Sequence, residues 1–292
     1  MVIFLRTLIG GLNLGAIYAL IALGYSMVYG IAKMLNFAHG DIIMIGAYSG
    51  IVVVTSLGLP PVIAILISCV FCACLGMLIE TLAYKPLRQA SSLSVLITAI
   101  GVSYFLQNIA LLIFGSQQKA YPSFGDLGFV EFAGVKVDYI TIMTLVITAV
   151  IMVALTLFVN KTKMGKAMKA TSEDKGAAEL MGISSDKTIL LTFAIGSFLA
   201  AIASAFYGAT YVYIKPTTGS MPGIKAFTAA VFGGIGSLPG AMLGGIMLGV
   251  IEQFAKVYIS TLWSDAIVFA VLIIVLLVKP TGLLGKPIME KV

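Results

Sequence analysis

KAMKATSEDKGAAELMGISSDK, residues 166–187, is the stretch on which the reading of this chain turns. From Lys161 to Lys187 stand six lysines and four acidic residues. The whole chain has 18 basic and 12 acidic residues among 292, so one third of the charge sits in this short island. On either side the sequence is almost free of charge.

The rest of the chain explains the contrast. It is 60% apolar and 10% charged, with a mean hydropathy of +1.09. A water-soluble fold carries about a quarter of its residues charged. The composition implies an integral membrane protein. In hydrocarbon every backbone polar group must be bonded within the protein. The apolar runs are long and continuous rather than short and alternating, which implies helices and not a barrel. The net charge of +6 is no sign of nucleic acid, because the lysines stand at the ends of apolar runs, where membrane topology places them.

The runs predict eight spans, at about 8–31, 40–57, 61–82, 93–114, 139–159, 188–212, 240–258 and 264–278. Only Arg6 precedes the first, and Leu8–Ile31 is too long for the apolar part of a cleavable leader. The segment GIKAFTAAVFGGIGSL, 223–238, is apolar, short and Gly-rich. It reads as a re-entrant half-span or part of a broken helix, allowed at depth only where protein or a wet cavity covers it.

Charge bias sets orientation. Lys85 and Arg88 follow the third span, the island follows the fifth, and Lys279, Lys286 and Lys291 follow the eighth. The polar segment 115–138 has two lysines against three acids. The island is expected in the cytoplasm, with 115–138 and the N-terminus outside. Eight spans alone would put the C-terminal lysines outside; a crossing by 223–238 removes that conflict. The side of the C-terminus stays open.

Cys69, Cys72 and Cys74 lie in PVIAILISCVFCACLGMLIE. The CVFC spacing lacks the second ligand pair or soluble context of a metal or redox site, so the thiols read as helix filling and no metal is expected. Gly236, Gly240 and Gly244, with Gly245 and Gly249 beside them, have the spacing that lets helices approach closely in lipid. That packing is expected within one subunit.

Within the island, Thr171 or Ser172 is expected to cap a short helix over about 172–181, with Thr171 and Asp174 as a capping box and Glu173 at its positive end. Ala177, Ala178, Glu179, Leu180 and Met181 continue it, and Gly182 stops it. Ser184 or Ser185 then caps the next span, with Asp186 in its first turn. Such a helix is too short to hold itself in water. Its mixed charge suits a protein partner on Ala177, Leu180 and Met181 better than an anionic lipid surface.

Asn13, Tyr18, Asn36, His39, Asp41, Gln107, Asn108 and Glu252 are the polar groups in or beside apolar runs. They are the candidates for a translocation pathway, since polar groups at depth are expensive. Each also has a structural role open to it. Asp41 can cap the second span and His39, the sole histidine, can bond locally. The others can join helices, and Glu252 can pair with Lys256 at i+4.

Four motifs carry a resemblance. GLNLGAIYALIALGYSMVYGIAKMLNFAHGDIIMIGAY (11–48) resembles the N-terminal signature of the branched-chain amino acid ABC transporter permeases of the LivH type. KAMKATSEDKGAAELMGISSDKTILLTFAIGSFLAAIA (166–203) is similar to their coupling-loop region, with Ala177-Ala178-x-x-x-Gly182 at its centre. AVFGGIGSLPGAMLGG (230–245) and KPTGLLG (279–285) resemble their C-terminal segments. The resemblance implies an ABC importer permease fold, a single transmembrane permease domain over 1–292, in the bacterial cell (inner) membrane. It implies a homologous second permease subunit, two cytoplasmic ABC ATPases and an extracytoplasmic amino-acid-binding protein, besides membrane lipid.

On that reading the loop 161–187 is the coupling loop, and Glu173, Asp174, Ala177–Gly182 meet an ATPase. The chain itself is no enzyme and holds no cofactor. ATP is bound by the partner, in keeping with the lack of a G-x-x-x-x-G-K-[ST] loop. A urea or other amino-acid permease of the same family is the alternative. An ion-driven secondary transporter would need mid-span carboxylates, for which only Glu252 stands available.

Overall fold

A computed structural model describes residues 1–122, 128–132 and 134–285. Eleven α-helices in the described residues carry the fold: α1 (Val2–Ala32), α2 (His39–Leu57), α3 (Pro61–Ile79), α4 (Ser92–Phe114), α5 (Tyr139–Lys161), α6 (Lys163–Glu173), α7 (Lys175–Leu180), α8 (Ser185–Tyr211), α9 (Ser220–Gly233), α10 (Leu238–Tyr258) and α11 (Ser264–Val278). A π-turn at Glu80–Tyr84 and a 3-10 turn at Lys85–Leu87 extend α3. Two short antiparallel ribbons accompany them. In one, β1 (Lys119–Ala120) pairs with β4 (Tyr213–Ile214); in the other, β2 (Phe129–Phe132) pairs with β3 (Val135–Asp138).

Among the described residues, seven helices are long and apolar enough to cross a membrane: Val2–Ala32, His39–Leu57, Pro61–Leu87, Ser92–Phe114, Tyr139–Lys161, Ser185–Tyr211 and Leu238–Tyr258. These match the first seven expected spans. The eighth, α11, has 15 residues, about 22 Å at 1.5 Å per residue. Local chemistry marks the ends. Ser91, Ser184 and Ser237 cap α4, α8 and α10 by accepting backbone N–H bonds from Ser94, Lys187 and Gly240. Pro61 opens α3, where its missing N–H is no loss.

The central element is α1, buried nearly continuously from Leu14 to Val28. It crosses α10 through small residues. A Cβ on Gly15 would come within 2.7 Å of the Ile246 backbone, and one on Gly11 within 2.8 Å of Val250. Cβ atoms on Gly245 and Gly249 would collide with the backbones of Ala19 and Gly15. In lipid, helices associate through such close packing, because the tails supply no hydrophobic drive. The glycine spacing therefore works inside the subunit, as expected. Gly240 and Gly244 face α9 at Gly233 and Ala229. Gly236 departs from the expected stripe: it stands in the turn before α10 with φ of 90°.

Contacts sort the ends of the helices. Gly236 N–H donates to Ser26 Oγ at 2.9 Å, near the end of α1. The N–H groups of Leu283 and Leu284 donate to the carbonyls of Phe232 and Gly233, each at 2.9 Å. Met168 and Ser172 of α6 line a cavity with Gly30 and Gly236. The end of α1, the charged island, the end of α9 and residues 279–285 therefore share one side. At the other side Phe4 meets Phe254 edge-on, with ring centroids 5.4 Å apart. So α9, with 213–219 before it, carries the chain across, and Lys279 lies on the island's side. Lys286 and Lys291 lie outside the described residues.

Two helices start inside the bundle rather than at its ends. His39 opens α2 packed against Gly24 of α1 and Gly196 of α8. Gly40 meets Gly219 and Gly223 at the start of α9, with a Cβ on Gly40 only 2.6 Å from the Gly219 carbonyl oxygen. Only glycine lets these two starts lie against each other.

Candidate functional site

The island is built differently from its expected form. Thr162, not Thr171, caps the first helix, accepting a bond from Gly165 N–H at 3.0 Å. The helix α6 then runs through Thr171 and Ser172 to Glu173. Thr171 is buried in its last turn, so it caps nothing. Asp174 caps the next helix, α7, accepting from Ala177 N–H at 3.0 Å. The single expected helix is thus two, because Asp174 adopts an extended backbone and its side chain competes for the N–H groups. Gly182 stops α7 with φ of 80°, and Ser184 caps α8 with Asp186 in its first turn, both as expected.

Two anchors hold the island. Met168 is fully buried among Leu23, Met27, Ile31 and Leu155. Arg88 bridges Glu80 of the π-turn to Asp186 at the start of α8, and Lys85 adds a 2.8 Å contact to Asp186. Burial, with Arg88 nearby, pulls Lys175 below its ordinary pKa. Ala178 faces inward at 4% exposure, while Leu180 is 91% and Met181 82% exposed. Ala177 and Glu179 are also exposed. A pair of bare apolar side chains, Leu180 and Met181, is therefore presented on the surface of the island.

Three polar clusters lie within the bundle. In the first, Glu252 of α10 is fully buried. Its Oε2 accepts from Tyr18 Oη at 2.9 Å. Its Oε1 meets Lys225 Nζ at 2.7 Å and Lys256 Nζ at 2.6 Å. Lys225 also meets Asp265 at 2.6 Å. The i+4 pair with Lys256 was foreseen. Lys225 and Asp265 were missed, although a lone lysine in the Gly-rich segment 223–238 was itself a signal. Four helices, α1, α9, α10 and α11, are tied at this point.

In the second, Gln107 Nε2 donates to Asp41 Oδ1 at 2.9 Å and lies 3.2 Å from both Ser103 Oγ and Ser220 Oγ. Asp41 thus binds across to α4; it makes no side-chain cap on α2, contrary to the simpler expectation. The backbone at the start of α2 is instead satisfied by the preceding turn, with Ala38 as the cap position.

In the third, Tyr84 Oη donates to Asn36 Oδ1 at 2.9 Å. His39 bonds the Ile21 carbonyl, the local bond expected of it, and stacks edge-on with Tyr25 at 4.6 Å. Asn36 Nδ2 and His39 Nε2 are buried without a hydrogen-bond partner among the described residues. The two remaining candidates stand apart. Asn13 donates to Thr210 at 3.4 Å. Asn108 is exposed and bonds the carbonyl of Tyr104 on its own helix. Among the described residues no group of His, Cys, Asp or Glu is placed to hold a metal.

Comparison with known proteins places this architecture. A family model described as "Branched-chain amino acid transport system / permease component" matches residues 7–276. The chain belongs to this family. Among its curated relatives, the high-affinity branched-chain amino acid transport system permease protein BraD of Pseudomonas aeruginosa is 45% identical, over 99% of this chain and 98% of the relative. The corresponding LivH of Escherichia coli K12 is 44% identical over the same shares. A probable LivH of Methanocaldococcus jannaschii is 27% identical over 94% of this chain and 91% of the relative. Among solved structures, PsaBC from Streptococcus pneumoniae in complex with Fab superposes with a TM-score of 0.49 at 16% identity, covering 93% of this chain and 91% of that one. The permease is a multi-pass inner-membrane protein, and its relatives are named as transport components rather than enzymes.

Proposed function

We propose that this permease moves branched-chain amino acids inward across the membrane by alternating access, as one subunit of an ATP-binding cassette importer. A homologous second permease completes the pathway, two cytoplasmic ATPases drive it, and an extracytoplasmic binding protein delivers the substrate. The chain itself takes no cofactor; ATP belongs to the ATPases. The names of its relatives support the substrate class.

The observation that carries the coupling reading is the exposed pair Leu180–Met181 at the end of a short helix, in a loop held by buried Met168 on one side and by the Asp186 ion pairs on the other. Burying each side chain in a partner's groove would contribute about 1.5–3 kcal/mol. Arg88 joins the start of α8, just after this helix, to the π-turn that extends α3, which gives a push on the tip a route to two spans. The ion-driven alternative loses the carboxylate that the sequence offered it, because Glu252 is fixed by two lysines and a tyrosine.

The test is uptake of labelled leucine and labelled urea into proteoliposomes holding the complete importer, with and without ATP inside. ATP-dependent leucine uptake is expected. Uptake of urea alone would keep the machine and replace the substrate, and leucine uptake driven by an ion gradient without ATP would overturn the reading.

A further inference from the structure

We infer that the junction of α5 and α6 is a binding site for an anionic phospholipid, whose phosphate is held by Lys161 and Lys169 beside a cavity at the end of α1. The site is independent of the solute that the permease moves.

The island carries two kinds of helix. The second, α7, has mixed charge. The junction before it does not: Lys161, Lys163, Lys166 and Lys169 follow one another closely, and the first acid after them is Glu173. Along α6, Gly165, Met168 and Thr171 are buried. Lys163, Lys166 and Lys169 recur at the same spacing and are exposed. The helix is therefore amphipathic with a basic outer face, and Thr162 alone separates it from the span α5. A basic amphipathic helix set directly against a membrane span is the pattern that meets anionic headgroups. Among the described residues no ion pair neutralises any of these lysines.

Geometry selects two of them. Lys169 Nζ donates to Asn160 Oδ1 at 2.5 Å, which draws it back to the end of α5, where Lys161 stands next in sequence. Two basic side chains are thus gathered at one helix end without a carboxylate. An ammonium group has three protons to give, so Lys169 keeps two for another acceptor. Beside it lies a cavity of about 120 Å³, lined by Ser26, Lys169 and Ser172 and by the apolar Ile31, Val159 and Leu238. A single water needs about 10–15 Å³, so there is room for a phosphate ester. On the outer face of α5, Val146, Val150, Val153 and Leu157 stand exposed. Lys161 continues that stripe by one further turn. An acyl chain lying along the stripe brings its headgroup to the two lysines. An acidic protein surface would use the lysines and leave the stripe bare, so the combination favours a lipid.

The test uses the full-length permease in neutral detergent, with native mass spectrometry as readout and phosphatidylglycerol or phosphatidylcholine as probe. A lysine near an anionic headgroup is worth about fivefold, so the two predict a preference for phosphatidylglycerol of roughly 25-fold. Lys161→Gln combined with Lys169→Gln should abolish it. Both side chains are exposed, so the fold should be kept. Lys187→Gln, at an exposed lysine elsewhere in the island, should leave the preference within twofold. A preference that survives the double variant overturns the site; if co-purification of the ATPase is lost at the same time, the lysines serve that protein instead. Glycerol 3-phosphate at the same concentration should not compete, and competition would show a soluble phosphate ligand in place of a lipid. Phosphatidylglycerol bearing a diazirine next to its glycerol should label peptides within 157–172. Labelling confined to other segments also overturns the site.

Discussion

The charged island and the ion cluster around Glu252 both gather opposite charges, yet they are opposite devices. In the island the charges stand in water and the apolar residues Leu180 and Met181 are left bare. In the cluster the central pair is buried, with Lys225 at 7% and Glu252 at 1% side-chain exposure, while Lys256 and Asp265 close it toward the surface. Surface pairs contribute little to stability. Buried pairs are repaid only when every partner is present. The first arrangement is suited to meeting another protein, the second to fixing four helices against one another.

That contrast can be broken from its stronger side. Lys225→Ala leaves Asp265 without its buried partner and Glu252 with a single lysine. A loss of roughly 3–5 kcal/mol is expected, read as a fall in the thermal midpoint of the detergent-purified subunit. Adding Glu252→Gln should recover part of it. A comparable loss is expected for Arg88→Ala, which strands the buried Glu80. Its uptake should fall further than its stability, since the island loses its mount.

Gly182→Val forces a β-branched residue to φ of 80°, at about 1–2 kcal/mol. Membrane insertion should be intact and uptake reduced; normal uptake would count against a coupling role. Leu180→Asp sits at the far end of the series. An exposed substitution changes stability by about 0.5 kcal/mol or less, so the subunit should melt as wild type does while leucine-driven ATP hydrolysis is lost. Equal losses of stability and coupling in all four variants would erase the distinction drawn between the two regions.

The sequence made the island legible because its charge interrupts a charge-poor chain, and its caps are local signals. Even so, the choice of Thr162 and Asp174 over Thr171 depended on the burial of Thr171 in the last turn of α6, which no local pattern reveals. The spans were legible from continuous hydropathy, the start of α2 among them; the depth at which His39 and Ser220 lie in the bundle was not, because it is set by the meeting of Gly40 with Gly219 and Gly223. Glu252 was recognisable as costly, and Lys256 as its i+4 neighbour. Lys225 lies 27 positions away, and only the packing of α9 on α10 brings it in. Asn36 and His39 were visible as polar groups near a span; that each keeps a buried atom without a hydrogen-bond partner among the described residues is a property of the fold alone.

The central claim is that the bare tip of the island is the seat of a separate ATPase. It is tested most directly by substituting a photoreactive benzoyl-phenylalanine at Met181 and irradiating the assembled importer in its membrane. A covalent adduct between the permease and the ATPase subunit is predicted, absent when the same group replaces the outward-facing Tyr104. Adducts to lipid alone from position 181 would contradict the account.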